Sequence, residues 1–185
     1  MTTIQVHVPV VEDAPAAPVD LASRVGRDVV GGRLVLIDNG KPKARDLLAH
    51  LGDALAERLS LDHVELVSKS SAAFPVEDAH ADEIAARADL VVTGLGDCGA
   101  CSACSLQDAL LLERRGVPAT VLITDVFVAH VARFAANLGS PGYHHLVVPH
   151  PAATKSDDRL RTLARASVDA AVEQLRSAPA LLPVS

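Results

Sequence analysis

The sequence predicts an α/β domain: a three-layer, Rossmann-like or flavodoxin-like fold around a parallel five-stranded sheet, with an extended amino-terminal arm. Three observations predict it. From Arg33 onward, short apolar runs alternate with stretches whose apolar residues recur at helical spacing. The 185 residues suit one domain with one ordinary core. Aromatic side chains are scarce (three Phe, one Tyr, no Trp), so Ala, Val and Leu must fill the interior. Small aliphatic residues favour close packing of helices on a sheet over a β-sandwich.

Residues 1–32 stand apart as the arm. Ile4-Gln5-Val6-His7-Val8 reads as a short strand, and the Pro/Ala-rich stretch from Pro9 to Pro18 cannot be helical. The arm is expected to lie on the domain or on a neighbouring subunit. Residues 33–177 form the α/β domain, and 178–185 a tail. Leu34-Val35-Leu36-Ile37 is a continuous apolar run, as in a strand buried on both faces. A turn at Asp38-Asn39-Gly40-Lys41-Pro42 leads to a helix over Ala44–Leu59. His63–Val67 is the second strand, Val76–Ala86 the second helix, and Leu90-Val91-Val92 the third strand. The glycine-rich loop Gly94-Leu95-Gly96-Asp97 leads into three cysteines, and a helix follows from about Ser105 to Arg115, closed by Gly116. Ala119–Ile123 is strand four, Val126–Leu138 helix four, His145–Val148 strand five, and Asp157–Arg176 one long closing helix.

The order of elements concentrates the chemistry. In an open parallel sheet, ligands bind beyond the carboxyl ends of the strands, near the switch point of strand order. Asp38, Asn39 and Lys41 follow strand one, and Lys69 and Ser70 follow strand two. Cys98 to Cys104 follow strand three, Thr124 and Asp125 strand four, and His150 strand five. In the flavodoxin-like order 2-1-3-4-5, strands one and three flank the crevice, which sets Asn39 and Lys41 opposite Cys98.

Charge and length exclude several functions. A formal charge of −6 repels phosphate backbones, and no basic stripe with interleaved aromatics offsets it, so nucleic acid is not an expected partner. No apolar stretch approaches the roughly 20 residues that span a bilayer. The first residues lack a basic start, a long apolar run and a cleavage site, so the chain reads as cytoplasmic. Three cysteines within seven residues cannot staple distant parts of a chain, and such a cluster reads as redox, metal-binding or nucleophilic.

Cys98-Gly99-Ala100-Cys101-Ser102-Ala103-Cys104 contains two overlapping C-x-x-C units. At a helix start, free amide groups and the helix dipole stabilise a thiolate, lowering its pKa from about 8.5 toward roughly 3.5–7.5. One cysteine then attacks, and a partner three residues on resolves the adduct as a disulfide. Asp97 works against thiolate formation and instead caps the helix or orients a base. The three thiols with His150 also offer a tetrahedral zinc site or an Fe–S ligand set, although no second separated ligand pair and no fourth cysteine exist. His150-Pro151, after the last strand, is a candidate general acid/base. Lys41 and Lys69 are candidate partners for a substrate carboxylate, with Asn39, Gly96, Asp97 and Thr124 around them. Gly94-x-Gly96 is not the G-x-G-x-x-G dinucleotide fingerprint and follows the third strand, so it predicts no cofactor.

Four segments together resemble the UGSC family of (seleno)proteins: Asp38-Asn39-Gly40-Lys41, Gly96-Asp97-Cys98-Gly99-Ala100-Cys101-Ser102, Leu112-Glu113-Arg114-Arg115-Gly116-Val117-Pro118 and Val148-Pro149-His150-Pro151. The resemblance runs from about Leu21 to Leu175. The family's motif is selenocysteine-Gly-Ser-Cys, to which Cys98-Gly99-Ala100-Cys101 is similar, with Cys98 at the selenocysteine position and Ala100 replacing Ser. The third cysteine instead matches the longer U-x-x-C-x-x-C of the selenoprotein B component of glycine, sarcosine and betaine reductases. That component also resembles this chain in its Glu-x-x-Gly-x-Pro and His-Pro segments.

The resemblance implies a nucleophilic chalcogen at position 98 and reductive bond cleavage with thiols taking up the oxidising equivalents. The expectation is a thiol-dependent oxidoreductase or lyase acting on a small, carboxylated molecule. Cys98 attacks, Cys101 or Cys104 resolves, His150 moves protons, and Asn39 and Lys41 bind substrate. A thiol reductant and either self-assembly or a homologous subunit are the expected partners. The rival expectation is a zinc- or Fe–S-binding subunit of a larger enzyme.

Overall fold

The computed structural model describes residues 17–25 and 27–177; the expected strand over residues 4–8 and the tail over 178–185 lie outside them. The five strands are β1 (Arg33–Asp38), β2 (His63–Ser68), β3 (Leu90–Gly96), β4 (Ala119–Thr124) and β5 (Leu146–Val148). All pair in parallel in the order β2-β1-β3-β4-β5, which is the flavodoxin-like arrangement. The helices are α1 (Ala44–Leu59), α2 (Asp78–Ala85), α3 (Gly99–Glu113), α4 (Val128–Asn137), α5 (Asp157–Ala166) and α6 (Val168–Arg176), with a short 3₁₀ turn over Asp125–Phe127 ahead of α4.

Residue alternation along the central strands divides the core in two. Leu34, Leu36, Leu90, Val92 and Leu122 face α1, α5 and α6. Val35, Ile37, Val91, Val121 and Ile123 face α2, α3 and α4. Burial on both faces explains why these strands read as unbroken apolar runs. Among the described residues, no helix is long and apolar enough to cross a membrane.

The structure departs from the sequence reading in three places. The long closing helix is two helices, because the Ser167 hydroxyl bonds back to the Leu163 carbonyl (3.0 Å) and bends the chain there. Gly94-Leu95-Gly96 is the end of β3, not a loop, with Leu95 buried in the core. The third helix starts at Gly99 rather than near Ser105, so the cysteines occupy its cap and first turns.

The described part of the arm lies on its own domain, at the end of the sheet opposite the cysteines. Its anchor is Glu113, at the last turn of α3. The Glu113 carboxylate accepts from the Ala22 amide (2.8 Å), the Ala119 amide (2.9 Å), the Tyr143 hydroxyl (3.1 Å) and the Arg24 guanidinium (2.5 and 3.2 Å). Arg24 and Glu113 side chains are only 1% and 0% exposed. Removing one member of such a pair leaves a buried charge without compensation, which costs far more than an exposed pair contributes. Glu113→Gln is therefore expected to lower unfolding stability by about 3–5 kcal/mol in denaturant titration. A loss no larger than that of an exposed ion pair contradicts this account of the arm.

Candidate functional site

The site is built on the junction of β3 and α3. A helix start leaves amide groups unpaired, and Ser, Thr, Asp or Asn usually accept from them. Here sulfur does. Cys98 is the N-cap residue, and its Sγ accepts from the Cys101 amide at 3.2 Å. Cys101 Sγ accepts from the Cys98 amide at 2.9 Å and the Asp97 amide at 3.2 Å. The Cys101 thiol also donates to the Cys98 carbonyl at 3.2 Å. The result is a capping box made of two cysteines.

Neighbouring contacts fix this turn. The Ser102 hydroxyl donates to the Cys98 carbonyl at 2.6 Å. A Cβ on Gly96 would meet Ser102 Oγ at 2.7 Å and Ile123 Cγ2 at 2.8 Å, so only glycine lets α3 start this close to the sheet. Asn39 is buried, and its amide donates to the Leu95 carbonyl (2.9 Å) and Ser105 Oγ (3.1 Å). It clamps the β1–α1 connection to β3 and α3, with its carbonyl turned to the Lys41 amide at 3.2 Å. Asn39 thus holds the crevice walls together instead of offering its amide to a substrate.

The three thiols differ sharply. Burial presses the half-buried Cys98 thiol up, but hydrogen bonds from Cys101 and the Lys41 ammonium outweigh it and hold the pKa below the ordinary cysteine value. Cys101 is 1% exposed, and burial, joined by the neighbouring Cys98 sulfur, pushes it up to about 11. Burial also raises Cys104, against the pull of Lys69, with Asp108 and Cys98 adding to the rise. The two neighbouring thiols are thus unequal, one partly accessible and lowered in pKa, the other buried and raised.

His150 stands on the β5 side of the crevice. Its Nδ1 lies 2.9 Å from Asp97 Oδ1 and 3.1 Å from Thr124 Oγ1. The Thr124 hydroxyl proton is committed to the Gly96 carbonyl at 3.1 Å, so Nδ1 carries a proton toward Asp97, and Nε2 is left without a protein partner among the described residues. The His150 amide donates to Asp125 Oδ1 at 3.1 Å, and Phe127 meets the ring edge-on at 5.9 Å. Asp97 joins this group to the thiols, since its own amide donates to Cys101 Sγ. Asp97 contacts the His150 ring, and the helix cap is Cys98.

Other candidates are placed differently. Lys69 is not available to a carboxylate: its ammonium is 4% exposed and is bound to Asp108 Oδ2 (2.5 Å) and the Phe74 carbonyl (2.8 Å). Asp108 also accepts from the Val76 amide at 2.7 Å, strapping the β2–α2 connection to α3. Nor does the proposed zinc or Fe–S ligand set assemble. Among the described residues, no three His, Cys, Asp or Glu side chains converge on a point that could hold a metal ion. His150 is turned to Asp97 and Thr124 rather than joined with Cys98, Cys101 and Cys104. A cavity of about 750 Å³ opens between the β2–α2 connection and α3, but Gln107 and Leu111, which line it, lie over two turns beyond Cys98, and no cysteine lines it.

The sequence reading passed over His130. This exposed residue on α4 turns the Cε1–Nε2 edge of its ring toward Gly99, 3.8 Å from where a Cβ there would sit. Phe134, one turn along α4, stacks beneath the ring at 6.4 Å. The His-x-x-x-Phe spacing was the available signal, but nothing in the sequence says that α4 crosses the start of α3.

Because the thiolate is the reactive form, alkylation of Cys98 by iodoacetamide should accelerate as pH rises through a midpoint below that of an ordinary cysteine. Lys41→Gln removes a cation that favours the thiolate, so the midpoint should move to higher pH. Cys101 should resist alkylation until far more alkaline conditions. Peptide mass spectrometry across the pH range reads both; an unmoved midpoint in K41Q would show that Lys41 does not act on this thiol.

No curated protein matches the chain. Among solved structures, it is similar to a diflavin flavoprotein A3 from Nostoc sp., at 18% identity over 76% of this chain and 90% of that one, with a TM-score of 0.40. It is also similar to a flavodoxin-like domain from Synechococcus sp., at 14% identity over 75% and 96% of the two chains, with a TM-score of 0.37. The sequence profile of the UGSC family matches residues 5–177, and with nearly its whole length inside that match the chain belongs to the UGSC family.

Proposed function

We propose that this protein is a thiol-dependent oxidoreductase or lyase in which Cys98 is the nucleophile, acting on a small, carboxylated molecule in reductive or nucleophilic bond cleavage. The observation that carries the reading is the unequal thiol pair at the start of α3. Cys98 is half-buried with a lowered pKa, and Cys101 is buried, raised to about 11 and hydrogen-bonded to it. An attacking thiol needs access and thiolate character; a resolving thiol needs protection until the adduct forms.

In the first step the Cys98 thiolate forms a bond to an electrophilic carbon or heteroatom of a substrate R–X, and X leaves with the bonding pair and takes a proton. In a lyase, a base takes a proton from the carbon beside the one bonded to sulfur, the Cys98–carbon bond breaks with its pair returning to sulfur, and an alkene departs. In the reductive route Cys101, deprotonated, attacks Cys98 Sγ. The Cys98–R bond breaks, R takes the pair and a proton, and a disulfide remains. R–X and two thiols thus become R–H, H–X and one disulfide, which a small thiol reductant returns to the starting state. In this reading Nε2 of His150 takes the proton that Cys101 loses as it attacks. Lys41 is the cation at the crevice for a substrate carboxylate, since Asp108 occupies Lys69.

The test uses hydroxyethyl disulfide in place of the substrate. Reduced protein should become lighter by two hydrogens, with fragmentation placing the bond between Cys98 and Cys101. Cys101→Ser should stall as the mixed disulfide at Cys98. If Cys98→Ser forms an internal disulfide as readily as the parent chain, the assignment of Cys98 fails.

A further inference from the structure

The proposed reductive route has a proton requirement that His150 alone does not obviously meet. Two bonds break with their electron pairs leaving, one to X and one to R, so two protons must be delivered. The two thiols supply them in sum, but in separate steps. His150, with Nδ1 held by Asp97 and Thr124, has only Nε2 to exchange a proton and so serves one transfer at a time. Asp97, whose carboxylate meets His150 Nδ1, also donates its amide to Cys101 Sγ.

A second imidazole stands at the same helix start. The Nε2 edge of His130 faces Gly99, the residue next to Cys98, within 3.8 Å of its would-be Cβ. Glycine at position 99 leaves the space between ring and backbone open, and small Ala100 follows it. His130 comes from α4, which packs on α3, whereas His150 comes from the loop after β5. The two rings therefore reach the junction from different elements. Phe134 supports the His130 ring as a near-parallel stack, with 12° between planes. His130 is exposed, so it exchanges protons with solvent between steps.

Resting on the reading of Cys98 as nucleophile, we propose that His130 is a second proton-transfer residue of the site, delivering the proton to the group that leaves when Cys98 attacks. In thiol–disulfide exchange the Cys98 thiolate forms a bond to one sulfur, the other sulfur departs with the pair, and the His130 imidazolium gives it a proton. His150 serves the later step, in which Cys101 loses its proton.

The experiment compares two disulfides whose leaving thiols differ in their need for a proton. An alkyl thiolate from hydroxyethyl disulfide is strongly basic and gains from a donor. The aromatic thiolate of the nitrothiobenzoate disulfide leaves without one. With the Cys101→Ser, Cys104→Ser protein as the parent, His130→Gln should slow reaction with hydroxyethyl disulfide about a hundredfold, the low end of what a positioned proton donor contributes. The aromatic disulfide should react at an unchanged rate. Equal slowing with both reagents, or no slowing with either, overturns the role of His130. A parent protein that reacts with neither disulfide overturns the nucleophilic reading of Cys98 itself, which separates the two failures.

Discussion

Everything at the site follows from how the first amides of α3 are satisfied. A helix buried against a sheet cannot leave these groups to water, and an oxygen-bearing cap is the usual remedy. Here two sulfurs divide the task, each accepting from the backbone of the other residue. The exchange fixes both side chains in one arrangement and separates their chemistry. Cys98, at the cap, faces the crevice; Cys101, within the turn, is enclosed by the sheet. Sulfur is a weak acceptor, so the bonds gain most when the acceptor is a thiolate. A helix start of this kind rewards ionisation of the outer thiol and leaves the inner one protonated.

The rest of α3 keeps that turn in place. Three of its buried polar residues are tied to different parts of the fold: Ser105 to Asn39, Asp108 to Lys69 and the Val76 amide, Glu113 to the arm, β4 and Tyr143. The Thr93 hydroxyl adds a bond to the Ser105 carbonyl at 2.6 Å. Burying such groups is costly unless they are paired, and among the described residues only Ser140 Oγ is buried without a partner. Polar satisfaction on this scale makes α3 a fixed frame. The residues that surround the thiols come from more exposed segments: Asp125 and His130 are open to solvent, and Lys41, Phe127 and His150 are partly so. The thiols thus sit on a buried frame, and the side chains around them are open to a small molecule.

The sheet was legible because its information is local and repetitive. Leu34 to Ile37 and Ala119 to Ile123 carry the continuous burial of central parallel strands, and α1 carries its helical spacing from Ala44 to Leu59 without interruption. What escaped was set by partners distant in sequence. Cysteine is not among the familiar caps, so the start of α3 was read six residues late. Lys69 looked like a free cation because its partner, Asp108, is 39 positions away. Asn39 was placed correctly at the crevice, but its buried amide is spent on Leu95 and Ser105, which no local pattern announces. His130 was missed for the same reason. Its position depends on the packing of α4 across α3, and its local sequence resembles any amphipathic helix.

If Cys98 forms an adduct as proposed, the same geometry favours one of the two cysteines that could resolve it. Cys104 is partly accessible and shares the C-x-x-C spacing with Cys101, so sequence alone leaves both open. On α3 it lies one turn beyond Cys101, close enough to Lys69 and Asp108 for both charges to act on it. Cys101 instead already exchanges hydrogen bonds with Cys98 through sulfur and backbone in both directions. Bringing these two sulfurs together asks for side-chain rotation within one turn. Reaching Cys98 from Cys104 asks the first two turns of α3 to unwind, against the Ser102, Ser105 and Asn39 contacts that hold them. The frame that positions Cys98 thereby sets Cys101 against it, and leaves Cys104 beside Lys69 and Asp108.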